Sequence, residues 1–217
     1  MRVLPCGTAG LLVELDALDD VLALYAALEA DRPDGVVDLV PAARTLLLQV
    51  DPAAGDLAAV ERAVREVRPQ RGAPAGRMAG DVVEVPVVYD GEDLEEVGAL
   101  TGWGADGVVE RHTGQEWTVA FCGFAPGFGY LVARGGAASR DSAGRWDVPR
   151  RSSPRTRVPA GSVALAGEFT GVYPRESPGG WQLLGRTELD VFDLERDPPA
   201  LLVPGARVRF SAVQAGS

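Results

Sequence analysis

The sequence contains no lysine: all 21 basic side chains are arginine, set against 31 Asp and Glu. That absence excludes a Schiff-base lysine, a P-loop lysine and a biotinyl-lysine within these residues. It leaves every positive contact to guanidinium groups, whose planar fork suits carboxylates and phosphates. Histidine occurs once, at His112, and the two cysteines, Cys6 and Cys122, form no CxxC pair. A His-rich or zinc-type site cannot be assembled from this set, so no metal site is expected. The thiols are read as buried and reduced, as in a cytosolic protein. A net charge of −10 argues against nucleic-acid and anionic-membrane partners. No apolar run approaches the roughly 18 residues of a membrane span. Met1–Cys6 opens no signal-peptide h-region, which makes the cytoplasm the expected location.

What is present divides into two textures. Over the first 67 residues, β-rich runs alternate with two amphipathic helices. Gly10–Leu15 reads as a strand. Asp19 or Asp20 is placed as the cap of a helix ending near Ala30, with Val21, Leu22, Leu24, Tyr25 and Leu28 at helical spacing. Val36–Val40 and Thr45–Val50 form a hairpin across Pro41–Arg44, and Asp56 caps a helix whose apolar face is Leu57, Val60, Val64 and Val67. The pattern predicts a small α/β sandwich with helices over one face of a mostly antiparallel sheet. Residues 68–80, RPQRGAPAGRMAG, are aperiodic and serve as the expected linker, giving domains over 1–75 and 81–217. Beyond it come a strand at Val82–Tyr89 and helical stretches at Leu94–Leu100 and Asp106–His112. Short strands follow at Trp117–Cys122, Ser162–Ala166, Trp181–Leu184, Leu189–Phe192 and Val208–Phe210. Such spacing predicts a β-barrel or sandwich.

Four stretches of the second half are candidates for chemistry. ERHTG (110–114) ends a helix, where a lone histidine is favoured by the helix dipole with no further role needed. FCGFAPGFGY (121–130) alternates aromatics with Gly and Pro after a strand; it is either a turn with core rings or the wall of a small-molecule pocket. From 140 to 157, six arginines (140, 145, 150, 151, 155, 157) face two aspartates (141, 147), a local excess of +4 in an acidic chain. With Pro, Ser and Thr interleaved, and VPAGS leading into a strand, this is either a solvated charge run or an anion cradle. SPGGWQ (177–182) turns tightly and sends Trp181 and Gln182 to opposite faces of a strand.

Together these motifs resemble a known family. RTRVPAGSVALAG, the 123–131 loop, ERHTG, SPGGWQLLGRT and the closing PPALLVPGARVRF look like the family of the 5-oxoprolinase B subunit, also called allophanate hydrolase subunit 1 or the carboxyltransferase C/D domain family. A sporulation kinase inhibitor belongs to the same family. VDLVPAARTLLLQVDP extends the resemblance into the first domain. The family loop GFTPGFPYL reads here with Ala125 and Gly129 in place of Thr and the second Pro, and Arg140–Asp147 looks inserted.

The resemblance implies an α+β chain: a ferredoxin-like α/β domain followed by a cyclophilin-like β-barrel. It implies an ATP-dependent hydrolase subunit that opens the lactam 5-oxoproline to glutamate together with subunits A and C. The sequence contains no nucleotide motif of its own, so ATP is expected to be shared with or bound by a partner subunit. A histidine-kinase inhibitor and a subunit of allophanate or urea metabolism are the alternatives. His112, Arg155 and Gln182 are the expected catalytic residues. Phe124, Pro126, Phe128, Tyr130, Arg157, Ser162 and Trp181 are the expected substrate-binding set. His112, Arg155, Ser162 and Gln182 are expected to converge on one pocket walled by Phe124, Phe128 and Tyr130.

Overall fold

In the computed structural model, residues 1–53, 55–69, 82–133 and 146–214 are described. The chain divides into two compact units, Met1–Met78 and Ala79–Ser217. Nearly all of the expected linker, together with Arg140, Asp141 and Arg145, lies outside the described residues.

The first unit is one antiparallel sheet with two helices. Its strands β1 (Arg2–Pro5), β2 (Gly10–Glu14), β3 (Val36–Pro41) and β4 (Thr45–Val50) run in the order β1-β2-β4-β3. This is the ferredoxin-like split arrangement with its outer strand supplied by the N-terminal β1. The register sets Leu11 and Leu39 against Leu48, and Val13 and Pro41 against Leu46, so one face is aliphatic. Helices α1 (Leu18–Ala30) and α2 (Leu57–Glu66) bury Val21, Leu24, Leu28, Val60 and Val64 in the same cluster. The α2 cap is as expected: Asp56 Oδ1 accepts from the Ala58 and Ala59 amides at 2.8 and 3.2 Å. The α1 cap is not. Ala17 holds that position without a side-chain bond, and Asp19 and Asp20 sit in the first turn, where the helix dipole favours their charge.

The second unit is a barrel. Strands β5 (Val83–Val87), β6 (Trp117–Cys122), β7 (Gly129–Ala133), β9 (Ser162–Ala166), β10 (Phe169–Val172), β12 (Gln182–Arg186) and β13 (Arg207–Ala212) form one sheet. Its order is β12-β9-β10-β7-β6-β13-β5. Among the described strands, the β13–β5 pair alone is parallel. The two edges meet where Val88 and Arg186 exchange both backbone hydrogen bonds at 2.9 Å, which nearly closes the barrel. Helix α3 (Leu94–Thr101) packs against β12, and α4 (Gly104–Thr113) packs against β13. A second small sheet, β8 (Arg155–Val158) with β11 (Ser177–Gly179), forms a flap of its own.

Strand β9 separates the barrel core from a second cluster on the outer face. All five of its residues are buried. Val163 and Leu165 point into the barrel core with Trp117, Leu131, Leu184 and Phe210. Ala164 and Ala166 point outward into a separate cluster with Phe128, Val158, Tyr173, Trp181 and Leu183. A strand buried on both faces carries a continuous apolar run, and small outward residues leave room for large rings above them.

Three expectations are corrected. Leu189–Phe192 is not a strand; it contributes one isolated bridge, Phe192 to Ala200. Cys6 is exposed rather than buried, and Cys122 is half-buried, with burial pushing its thiol up to about 11. The strands β1, β7, β8, β10 and β11 lie beyond the expected set, each being only three to five residues long. No described helix is long and apolar enough to cross a membrane.

Candidate functional site

An open cavity of about 470 Å³ lies on the outer face of the barrel, within the size range of small-molecule pockets. Its walls are the rings of Phe124, Phe128, Tyr130, Phe169, Tyr173 and Trp181, with Ala166 and Gly167 among its other lining residues. The rings meet edge to face. Phe128 lies 5.2 Å from Tyr130 and 5.3 Å from both Tyr173 and Trp181, and Tyr130 lies 5.5 Å from Trp181. Asp147 and Arg150, both exposed, are its charged members.

The backbone presents these rings by two tight turns. Ala125 N–H donates to Gly123 O at 2.8 Å around Phe124, whose φ is +70°, the geometry of a strained γ-turn. Phe128 N–H then donates to Ala125 O at 3.0 Å, with Pro126 and Gly127 at the central positions and Gly127 at φ +80°. That is a type II turn, for which Pro-Gly is the favoured pair. A Cβ on Gly127 would also sit 2.4 Å from Phe192 Cβ. The outcome is that Phe124, 59 % exposed, stands in the cavity wall, while Phe128 two turns later is 1 % exposed beneath it. Opposite, a Cβ on Gly179 would meet the Tyr173 hydroxyl at 2.3 Å, so β11 must carry glycine there. Burial raises the phenol pKa of Tyr130 and Tyr173, and the Arg150 charge partly offsets this.

A buried carboxylate organises the cavity rim. Asp93, at the head of α3, is 3 % exposed. Its Oδ1 accepts from Arg151 Nη1 and, at 2.8 Å, from Arg155 Nη2; its Oδ2 accepts from the Leu183 amide at 2.7 Å. Burial works to raise its pKa, but these hydrogen bonds and the two guanidinium charges outweigh burial and hold the carboxyl below its ordinary value. Arg155 Nη2 also reaches Glu92 at 2.9 Å, and its hydrogen bond to Asp93 raises the guanidinium pKa. Arg151 N–H donates to Gly180 O at 2.8 Å, tying the Arg150 segment to the SPGG turn.

The expected convergence is therefore corrected. Phe124, Phe128, Tyr130 and Trp181 do line one cavity; His112, Arg155, Arg157, Ser162, Gln182 and Pro126 do not. His112 is fully buried inside the barrel. Thr170 Oγ1 donates to Ala164 O at 3.0 Å, so it accepts from His112 Nε2–H at 2.9 Å, and His112 Nδ1 accepts from the Tyr89 hydroxyl at 2.7 Å. Both ring nitrogens are satisfied in the neutral form, and burial pushes its pKa down to about 3. Thr170 shares the inward face of β10 with Val172, whereas Phe169 faces the cavity. His112 and the cavity thus lie on opposite sides of the barrel wall.

The remaining residues have local partners. Arg157 Nε pairs with Glu176 at 2.6 Å on the exposed side of the β8–β11 flap. Gln182, 1 % exposed, donates from Nε2 to Pro149 O at 3.3 Å and so braces the wall from behind. Ser162 is buried, and Pro126 is exposed at the turn tip. Sequence reasoning missed Phe169, Tyr173 and Asp93 as site residues; the last is one acidic residue in GEDLEE, and nothing in that run marks which carboxylate is buried. Among the described residues, no group of three or more His, Cys, Asp or Glu is placed to hold a metal ion.

The chain is similar to the B subunit of 5-oxoprolinase from Bacillus subtilis (strain 168), 48% identical over 132 residues, 59% of this chain and 52% of that protein. It spans about half the length of the curated relatives it matches. Among solved structures, it resembles TTHA0988 with 37% identity and a TM-score of 0.71, covering 96% of this chain and 41% of the other. A conserved uncharacterized protein from Pyrococcus horikoshii, PH0987, is 34% identical with a TM-score of 0.55 over 98% of both chains. Residues 1–202 match the family model of the carboxyltransferase domain, subdomain C and D, and the chain belongs to that family.

Proposed function

We propose that this chain is the B subunit of an ATP-dependent 5-oxoprolinase, working in the cytoplasm with subunits A and C to open 5-oxoproline to L-glutamate. The relatives that carry the name of the 5-oxoprolinase B subunit support the reaction class. The observation that carries the reading is the aromatic cavity with one guanidinium in its wall. A five-membered lactam carboxylate is a flat ring with a single negative charge, and such a cavity offers a surface for each part.

In this reading the chain's residues bind and orient. Phe124, Phe128 and Trp181 exclude water from the ring, and the half-buried Tyr130 hydroxyl offers a hydrogen bond to its polar edge. Arg155 and Gln182 act one layer back, by fixing the wall. A triphosphate does not fit this donor set: the cavity offers one arginine beside the carboxylate of Asp147, and the sequence has no phosphate-loop lysine. ATP is accordingly assigned to a partner subunit.

The test is co-expression with candidate A and C subunits, followed by measurement of glutamate released from 5-oxoproline with and without ATP. Near-stoichiometric co-purification and ATP-dependent release are expected. A stoichiometric complex that releases no glutamate would overturn the reading. We further propose domain limits of 1–75 and 81–217. Trypsin is expected to cut first at the arginines between 68 and 80; preferred cutting elsewhere would contradict those limits.

A further inference from the structure

Four arginines fall between 150 and 157, and their surroundings separate them. Arg151 and Arg155 are held by Asp93, and Arg155 by Glu92 as well. Arg157 is paired with Glu176. Arg150 lines the aromatic cavity, is exposed, and has no carboxylate within ion-pair distance among the described residues. Its Nε and Nη2 lie 3.7 Å from where a Cβ of Gly180 would stand, so the guanidinium lies beside the glycine turn while remaining open to solvent. The neighbouring Arg151 is fixed twice, by Asp93 through its side chain and by Gly180 through its backbone, which limits where Arg150 can point. Its charge reaches both cavity phenols, Tyr130 and Tyr173. The cavity's other charge is Asp147, which opposes any ligand carrying negative charge at more than one end.

We infer that Arg150 is the specificity-determining residue of the cavity, and that the ligand it selects is a small ring compound bearing one carboxylate. A planar guanidinium binds a carboxylate through two parallel hydrogen bonds, which a neutral amide of the same shape cannot match. The cavity therefore discriminates by charge at one end of the ligand and by flatness at the other. The inference rests on the lactam reading for one of its probes, and a second probe pair keeps the two apart.

The experiment is calorimetric titration of the full chain with 5-oxoproline and its neutral amide, and separately with benzoate and benzamide. The wild type is expected to prefer the acid over the amide by about tenfold or more, the value of a charge-assisted hydrogen bond. Arg150→Gln should bind acid and amide equally, Arg150→Lys should keep part of the preference, and Arg209→Gln should behave as wild type. Persistence of the preference in Arg150→Gln overturns the inference, as does a wild type that prefers neither acid. A 5-oxoproline preference lost in Arg150→Gln supports it whatever benzoate does. If benzoate alone shows the Arg150-dependent preference and 5-oxoproline does not bind, the Arg150 assignment stands and the lactam reading fails.

Discussion

The barrel carries two aromatic clusters, one on each side of its wall, and they differ in how their polar atoms are satisfied. Inside, His112 lies between Phe210 at 4.3 Å and Trp117 at 5.1 Å. Its two nitrogens are taken by Tyr89 and Thr170, and its carbonyl accepts from Trp117 Nε1 at 3.0 Å. Outside, the rings are comparably dense, yet Phe124 is 59 % exposed and Arg150 faces the cavity without a carboxylate partner among the described residues. Aromatic density is therefore common to a core and a site. What separates them is unspent capacity: a closed hydrogen-bond network stabilises, whereas an exposed ring and an open guanidinium have something left to bind.

Substitutions sharpen that contrast. Asp93→Ala should cost about 3–5 kcal/mol in urea unfolding, because it leaves two guanidinium groups and the Leu183 amide without their shared acceptor. A cost below about 1 kcal/mol would show that water replaces the carboxylate readily. Phe210→Ala, inside the barrel and 1 % exposed, should cost about 3–5 kcal/mol by the cavity it leaves.

The next effect is a pH dependence. His112 has its pKa depressed by burial from 6.5 to about 3, so the unfolded chain takes up a proton that the folded barrel refuses. Its stabilising contribution is complete above pH 6.5 and falls as pH drops from there toward about 3, at about 1.4 kcal/mol per pH unit. The slope difference between wild type and His112→Gln isolates this contribution from that of Asp93. Equal slopes would mean that the imidazole protonates in place. The smallest effect is expected outside the barrel, where Phe124→Ala should change stability by no more than about 0.5 kcal/mol. A larger loss would mean that Phe124 is packed as core and is not available to a ligand.

Much of the layout is written in local patterns. The paired leucines of Thr45–Val50, the Asp56 cap and the Pro126-Gly127 turn each depend on residues within a few positions, so the sequence alone places them. The motifs between 110 and 182 likewise mark the family without any coordinates, and through that resemblance part of the aromatic wall, Phe124, Phe128, Tyr130 and Trp181. Which arginine stays open was decided elsewhere. The sequence singles out Arg155 and Arg157 over Arg150 and Arg151, but the fold sorts the four differently: Asp93, some 60 positions earlier, takes Arg151 and Arg155, and Glu176 takes Arg157. The lone histidine was equally ambiguous at the end of α4. Its role turns on the inward face of β10, 58 residues away, where the Thr170 hydroxyl accepts a hydrogen bond from Nε2–H and fixes it as a neutral core residue. Periodicity and turn chemistry act over one or two turns of chain. Burial and the pairing of charges act through space, and only the closed barrel determines which side of its wall a side chain occupies.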